Sequence, residues 1–429
     1  MERIIVLALT LFGFLPLTSA QTGTWSGKLD VQGTKLTIVF HLDGEEPTMD
    51  SPDQAAMGFP IQVEKGETGK INIKIPALGA SYEGLWVGKQ ILGTFKQAGL
   101  SLPLALAPEK LNRPQTPVGP FPYTEEEVTF SNGDARLSGT LVLPEGYSRK
   151  TPVLVMVNGS GQENRDEEIY EHKPFAVIAD AFARAGIATL RYDDRGVGGS
   201  TGDVVYATTE DFKEDALAGI KLLRERFDKV GVIGHSEGGV IALMLAAEKQ
   251  VDFIVSMAGV AVSGTELTVA QTRGSLLSAG FPETTVDTYC KVIEDVCSAV
   301  VNGGEMPAID NLDLPAELKL AHPQLVARIQ APWMAKFISL DMRPRLGSIT
   351  CPVLAINGTK DTQVDYESNL DALRKGLPAN PKNKIEAFEG LNHLFQHCTT
   401  GALSEYRQIE ETISPEVLET MVQWLISIQ

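Results

Sequence analysis

The chain has 429 residues, 43% of them hydrophobic, which is enough to bury a full core and points to two or three domains. Its formal net charge of −18 argues against a nucleic-acid binder, because phosphate contacts need clustered Lys and Arg. Four cysteines in a chain this long do not make the disulfide framework of small secreted domains.

Met1-Glu2-Arg3 is followed by an apolar run from Ile4 to Leu17 and then by the small residues Thr18-Ser19-Ala20. A run of roughly 14 residues is too short to cross a bilayer but matches the core of a secretory signal. Residues 1–20 therefore read as a signal peptide cleaved near Ala20, and the expected location is periplasmic or secreted. No Cys follows Ala20 to carry a lipid anchor, and no later stretch is long and apolar enough to be a membrane span.

Residues 21–107 carry the runs TWSGKLDV, TKLTIVFHLD, INIKIPA, SYEGLWVG and ILGTFKQ, broken by Gly and Asp. Their period-two alternation predicts antiparallel strands in a small all-β domain, a sandwich or partial barrel. Residues 108–122, with prolines at 114, 117, 120 and 122, read as an extended linker.

The pattern changes over residues 123–429. A hairpin-like pair (Glu127 to Phe130, Arg136 to Leu143) leads into the apolar run PVLVMVNG and the helical PFAVIADAFARAG. Then come TLRYDD, the helix DFKEDALAGIKLLRERF, the strand KVGVIGHS, a helix from Gly238 and the strand VDFIVSMAG. Apolar strands alternating with amphipathic helices predict a doubly wound, mostly parallel α/β sheet covered on both faces. From about 262 to 349 only helical periodicity is left, which reads as a cap over the C-terminal strand ends. Within it Cys290 and Cys297 are i, i+7 on a helix, about 10 Å apart and too far for a bridge. A bridge involving Cys351 or Cys398 stays open. The sheet resumes with PVLAINGTKD, the helix YESNLDALRKGL, the strand NKIEAFEG and a last helix from Pro415 to Ile428.

Gly234-His235-Ser236-Glu237-Gly238 matches G-x-S-x-G, placed between the strand VGVI and the helix GVIALMLAA. That context makes Ser236 the candidate nucleophile on a strained turn whose flanking glycines let strand and helix pack closely. A serine hydroxyl needs a base, and the base needs an orienting acid. Asp361, ending NGTKD, and His393, in GLNHLF, follow Ser236 in the order Ser, Asp, His, each at a C-terminal strand end. Asp361 competes with a helix N-cap assignment and His393 with a loop histidine of no role. His41, His172, His322 and His235 are weaker candidates for the base, whereas His397, four residues on, forms with His393 a pair at helical metal spacing. No Glu or Cys cluster completes a zinc set, so no metal is expected. A tetrahedral intermediate needs amide donors. Glu237, after the nucleophile, and Ser160, in the small-residue loop Asn158-Gly159-Ser160-Gly161, are the candidates for this oxyanion hole. The loop Tyr192-Asp193-Asp194-Arg195-Gly196 reads as an ion pair bracing the site, and the acidic stretch from Glu163 to Glu171 as a solvated rim.

Taken together, GHSEGG, NGSG, DDRGVGGSTG, NGTKD and GLNHLF resemble bacterial α/β-hydrolases of the esterase and serine aminopeptidase-like group, over roughly residues 123–429. The resemblance implies the α/β-hydrolase fold with a helical cap, no cofactor and hydrolysis of a small-molecule acyl ester. It also implies Ser236, Asp361 and His393 as the triad and Ser160 and Glu237 as oxyanion donors. The β segment is similar to a domain fused to such hydrolases and to penicillin-recognising enzymes. Asn158 departs from close lipase relatives, where His is commoner. The expected function is acyl-ester hydrolysis through an acyl-enzyme. The alternatives are a serine peptidase of the same fold and a ligand-binding protein whose hydrolase domain is inert.

Overall fold

A computed structural model of the protein describes residues 23–31, 33–42, 47–51, 54, 56–66, 69–109 and 111–429. Residues 1–20, expected to be a signal peptide, lie outside them. Contacts divide the chain into two units, one ending at Asn112 and the other beginning at Arg113.

The first unit holds strands β1 (Thr24–Val31), β2 (Thr34–His41), β3 (Thr48–Ser51), β4 (Ala56–Pro60), β5 (Gln62–Lys65), β6 (Lys70–Ile75), β7 (Ala80–Val87), β8 (Gln90–Gln97) and β9 (Leu100–Pro108). They form one antiparallel sheet in the order β4-β3-β2-β1-β9-β8-β7-β6-β5. Alternation is cleanest in β6, where Ile71, Ile73 and Ile75 are buried and Lys70, Asn72 and Lys74 face solvent. Both halves of the sheet feed one core, with the rings of Phe40 and Tyr82 5.6 Å apart. Strand β9 escapes sequence patterning because Pro103 and Pro108 lie within it, but Leu104 and Leu106 alternate inward.

The second unit begins by docking the segment expected to be a linker. Arg113 donates to the carbonyls of Tyr170, Arg407 and Ile409 at 2.8–3.0 Å, and Gln115 donates to that of Ile413 at 2.7 Å. Gln115 Oε1 in turn accepts the amides of Thr412 and Ile413. The antiparallel pair β10 (Thr124–Asn132) and β11 (Ala135–Leu143) leads into β12 (Val153–Val157), α1 (Pro174–Arg184), β13 (Ala188–Tyr192), α2 (Thr209–Arg224), β14 (Val230–His235), α3 (Glu237–Ala247) and β15 (Ile254–Met257). Five helices follow: α4 (Gly264–Ser278), α5 (Glu283–Asn302), α6 (Ala316–Ile329), α7 (Pro332–Ile338) and α8 (Arg343–Leu346). Then come β16 (Val353–Gly358), α9 (Tyr366–Gly376), β17 (Lys384–Phe388), α10 (Leu403–Tyr406) and α11 (Pro415–Ser427). The sheet order is β10-β11-β13-β12-β14-β15-β16-β17, parallel from β13 to β17. This is the α/β-hydrolase architecture.

Strands β12 to β16 are buried along their length because helices cover both faces. Side chains of α2, α3 and α9 fill one face, and those of α1 and α11 the other. The strand β14 is central, and the helix that follows it, α3, is buried on every side. The expected cap is the α4–α8 run. No described helix is long and apolar enough to cross a membrane.

Candidate active site

Ser236 is the single residue between β14 and α3, and it holds φ 53°, ψ −113°. That conformation is costly for a residue with a Cβ and is kept only where the surroundings enforce it. Here the enforcement is packing. A Cβ on Gly234 would overlap the carbonyl of Gly238, and one on Gly238 would overlap the carbonyl of Val157 at the end of β12. The elbow therefore lies directly against the loop after β12, where a Cβ at Gly159 would fall 3.5 Å from that of Ser236.

Asp361 and His393, 32 residues apart, meet beyond β16 and β17. His393 Nδ1 lies 2.6 Å from Asp361 Oδ2, and both residues are buried. Asp361 Oδ1 accepts the amides of Gln363 and Val364 at 2.8 and 2.9 Å. Asp361 is not a helix cap, since the N-cap of α9 is Asp365, which accepts the Ser368 amide at 2.8 Å. Asn392 Oδ1 holds the amides of Leu394 and Gln396 at 3.0 Å each and so shapes the histidine loop. With Nδ1 engaged, His393 Nε2 has no protein partner among the described residues. The elbow touches this loop through His235, whose Nε2 is 2.9 Å from the His393 carbonyl and whose ring centroid is 4.6 Å from that of His393.

In the loop after β12 the Gly159 amide donates to Glu167 Oε1 at 2.7 Å. The Ser160 amide has no protein acceptor among the described residues. As the first residue of α3, Glu237 has an amide with no partner inside its helix, at the positive end of the helix dipole. Its side chain is buried and accepts from Thr209 Oγ1 at 2.6 Å and from Trp333 Nε1 at 2.9 Å, which ties α7 to the residue after Ser236. Burial pushes the Glu237 carboxyl up to about 7, while the two donors hold it down. Asn158 donates to Asp194 Oδ1 at 3.0 Å behind the loop, and burial pushes that carboxyl far above the usual range. Asn158, Gly159, Asp194 and Glu237 line a cavity of about 10 Å³, room for one water. Asn158 thus braces the loop from within.

The other histidines have separate partners. His41 bonds Thr24 and Asp50, and His322 on α6 bonds the Tyr289 hydroxyl. His172 lies just before α1 and outside it. It pairs with Ile169 in a short bridge before α1 and bonds Thr412 and the Tyr406 carbonyl, and burial lowers its pKa to about 4. His397 is exposed and bonds Glu411 at 2.9 Å. Residues 393–397 form a loop instead of a helix, and among the described residues no group of three or more His, Cys, Asp and Glu is placed to hold a metal. All four cysteines are free thiols. In the loop after β13 the ion pairs join it to other segments, Asp193 to Arg165 at 2.9 Å and the buried Arg195 to the buried Asp215 at 2.7 Å.

The serine aminopeptidase S33 hydrolase family matches residues 171–397, more than half of the chain. The chain belongs to this family. Over 316 residues it is 28% identical to the esterase EstD of Thermotoga maritima, covering 72% of this chain and 69% of that protein. Among solved structures it is similar to an esterase of Pyrococcus furiosus (19% identity, 75% of this chain and 98% of that one, TM-score 0.46). Est1E of Butyrivibrio proteoclasticus with bound ferulic acid is a second (19% identity, 70% and 98%, TM-score 0.43). The S33 match encloses Ser236, Glu237, Asp361 and His393 and begins after Ser160. Two residues at the candidate site were not singled out by sequence. Glu167 lies in an acidic stretch that reads only as a solvated rim, and Trp333 in a helix whose docking no periodicity reveals.

Proposed function

We propose that the protein hydrolyses small acyl esters through an acyl-enzyme on Ser236. The observation that carries this reading is the 2.6 Å Asp361–His393 bond beyond β16 and β17, in a loop that His235 ties to the strained serine elbow. Asp361 holds Nδ1–H, so Nε2 is the nitrogen that takes the Ser236 proton as the hydroxyl attacks the ester carbonyl. The Ser160 and Glu237 amides receive the charge that develops on the carbonyl oxygen. His393 then protonates the leaving alcohol and later activates the water that frees the acid. The name of EstD, an esterase, supports an ester over a peptide substrate.

The test is hydrolysis of p-nitrophenyl esters of graded acyl length, with fluorophosphonate labelling, on wild type and Ser236→Ala. The variant is expected to lose about 10⁴-fold or more in kcat and all labelling. Retained activity sinks the reading, and faster cleavage of aminoacyl anilides than of esters replaces it with a peptidase. The composition of residues 1–20 supports export. N-terminal sequencing of protein from the periplasm of a bacterial host is expected to begin near Gln21, and an unprocessed chain counts against export.

A further inference from the structure

A second buried acid–imidazole pair lies beside the first and has no step in the reaction above. Glu167 and His235 are both nearly inaccessible, and Glu167 Oε1 lies 2.8 Å from His235 Nδ1. The same oxygen accepts the Gly159 amide at 2.7 Å, and the opposite ring nitrogen, Nε2, faces the His393 carbonyl at 2.9 Å. One short chain of hydrogen bonds thus joins the loops after β12, β14 and β17, which carry Ser160, Ser236 and His393.

The protonation of this chain follows from its acceptors. A carbonyl oxygen can only accept, so Nε2 must carry a hydrogen. An ionised Glu167 can only accept as well, so Nδ1 must carry one too, and His235 is an imidazolium. Burial alone opposes that charge, but the Glu167 carboxylate outweighs it and raises the pKa of His235. The other titratable groups facing the ring are Glu163, Asp361 and His393. The backbone here is also strained. Glu167, Tyr170 and Glu171 have φ of 52°, 49° and 61°, unusual for residues with a Cβ. Such strain persists only where contacts over-determine it and is concentrated at functional sites.

We propose that Glu167 and His235 are positioning residues that set the oxyanion loop, the nucleophile and the base at fixed separation. Glu167 turns the Gly159 amide inward, which leaves the next amide, that of Ser160, to face the site. His235 holds the His393 loop by its carbonyl. The proposal rests on the esterase reading of the same site.

The test measures kcat and KM for p-nitrophenyl acetate between pH 6 and 8, per site labelled by fluorophosphonate, for wild type, Glu167→Ala and Glu167→Gln. The alanine variant is expected to lose about 10²-fold in kcat with KM nearly unchanged, because a misplacement of about 1 Å has that cost. The glutamine amide oxygen still accepts from Gly159 and His235, but it no longer favours the imidazolium. With the carboxylate gone, burial favours the neutral ring, which has one hydrogen for two acceptors and drops one bond. Glu167→Gln is therefore expected to lose kcat several-fold with KM nearly unchanged. A wild-type kcat, or a loss confined to KM, overturns the proposal, and the isosteric Gln variant decides the matter even if Glu167→Ala does not fold. If wild type is not labelled, or Ser236→Ala keeps its activity, the esterase reading falls and takes this one with it. A labelled wild type with an unimpaired Glu167→Gln removes the positioning role alone.

Discussion

Glu237 does two jobs that belong to different atoms. Its amide is a candidate oxyanion donor, and its carboxyl is buried between Thr209 and Trp333 and pushed up to about 7. The folded-state value is above that of the unfolded chain, so the folded protein binds the proton more tightly. Stability is then greatest below the unfolded value and declines as pH rises through the window from about 4.5 to about 7. The whole decline is on the order of 3 kcal/mol. Glu237→Gln keeps an acceptor for both donors and has no proton to lose. Its stability relative to wild type is expected to rise between pH 5 and pH 8, read from urea midpoints at the two values, and an unchanged difference refutes the burial argument. Nothing in the letters GHSEGG marks this glutamate as buried, since an exposed one would leave the motif the same.

At the scale of elements, the decisive feature is how closely β14 and α3 approach β12. The motif G-x-S-x-G was legible because the contact leaves no room for a side chain at Gly234 or Gly238. Gly238→Ala must displace the Val157 carbonyl, and with it the start of the loop that carries Ser160. It is expected to cost about 3 kcal/mol or more and to lower the fraction of protein labelled at Ser236. A wild-type melting temperature for Gly238→Ala counts against the close-packing account. The strand-helix alternation of residues 123–429 was legible for a similar reason, since each fully buried strand must be apolar along its whole length. The short strands β3, β4 and β5 and the proline-bearing β9 were not, because strands of four or five residues or interrupted by proline need no such run. The helices of the cap announce their periodicity, but Trp333 reaches Glu237 only through the packing of α7, which a one-dimensional pattern does not encode.

At the scale of the whole chain, the composition of residues 108–122 reads as an extended linker, and the division between the units falls inside it, so that from Arg113 onward the segment belongs to the second unit. Arg113 satisfies the carbonyls of Tyr170, Arg407 and Ile409, the first of them in the strained segment that carries Glu167. Arg113→Ala is expected to destabilise this unit by about 1–3 kcal/mol, a fall of a few degrees in the melting temperature of the ester-hydrolysing activity. An unchanged midpoint shows these hydrogen bonds to be dispensable. Proline content signals an extended backbone, and an extended backbone can dock as readily as it can span.

The sequence by itself determined the two architectures, the elbow around Ser236 and the order in which Asp361 and His393 follow it, because each rests on local rules: strand and helix periodicity, and glycine where a side chain cannot fit. Only the tertiary structure decided that the Asp361 carboxylate meets the His393 imidazole, that Glu167 joins three strand-end loops, and that Glu237 is buried against the cap. These are contacts between residues 8 to 158 positions apart. Such pairings depend on where the folded sheet brings its loops, and the identity of a polar residue is the same whether it faces water or a partner.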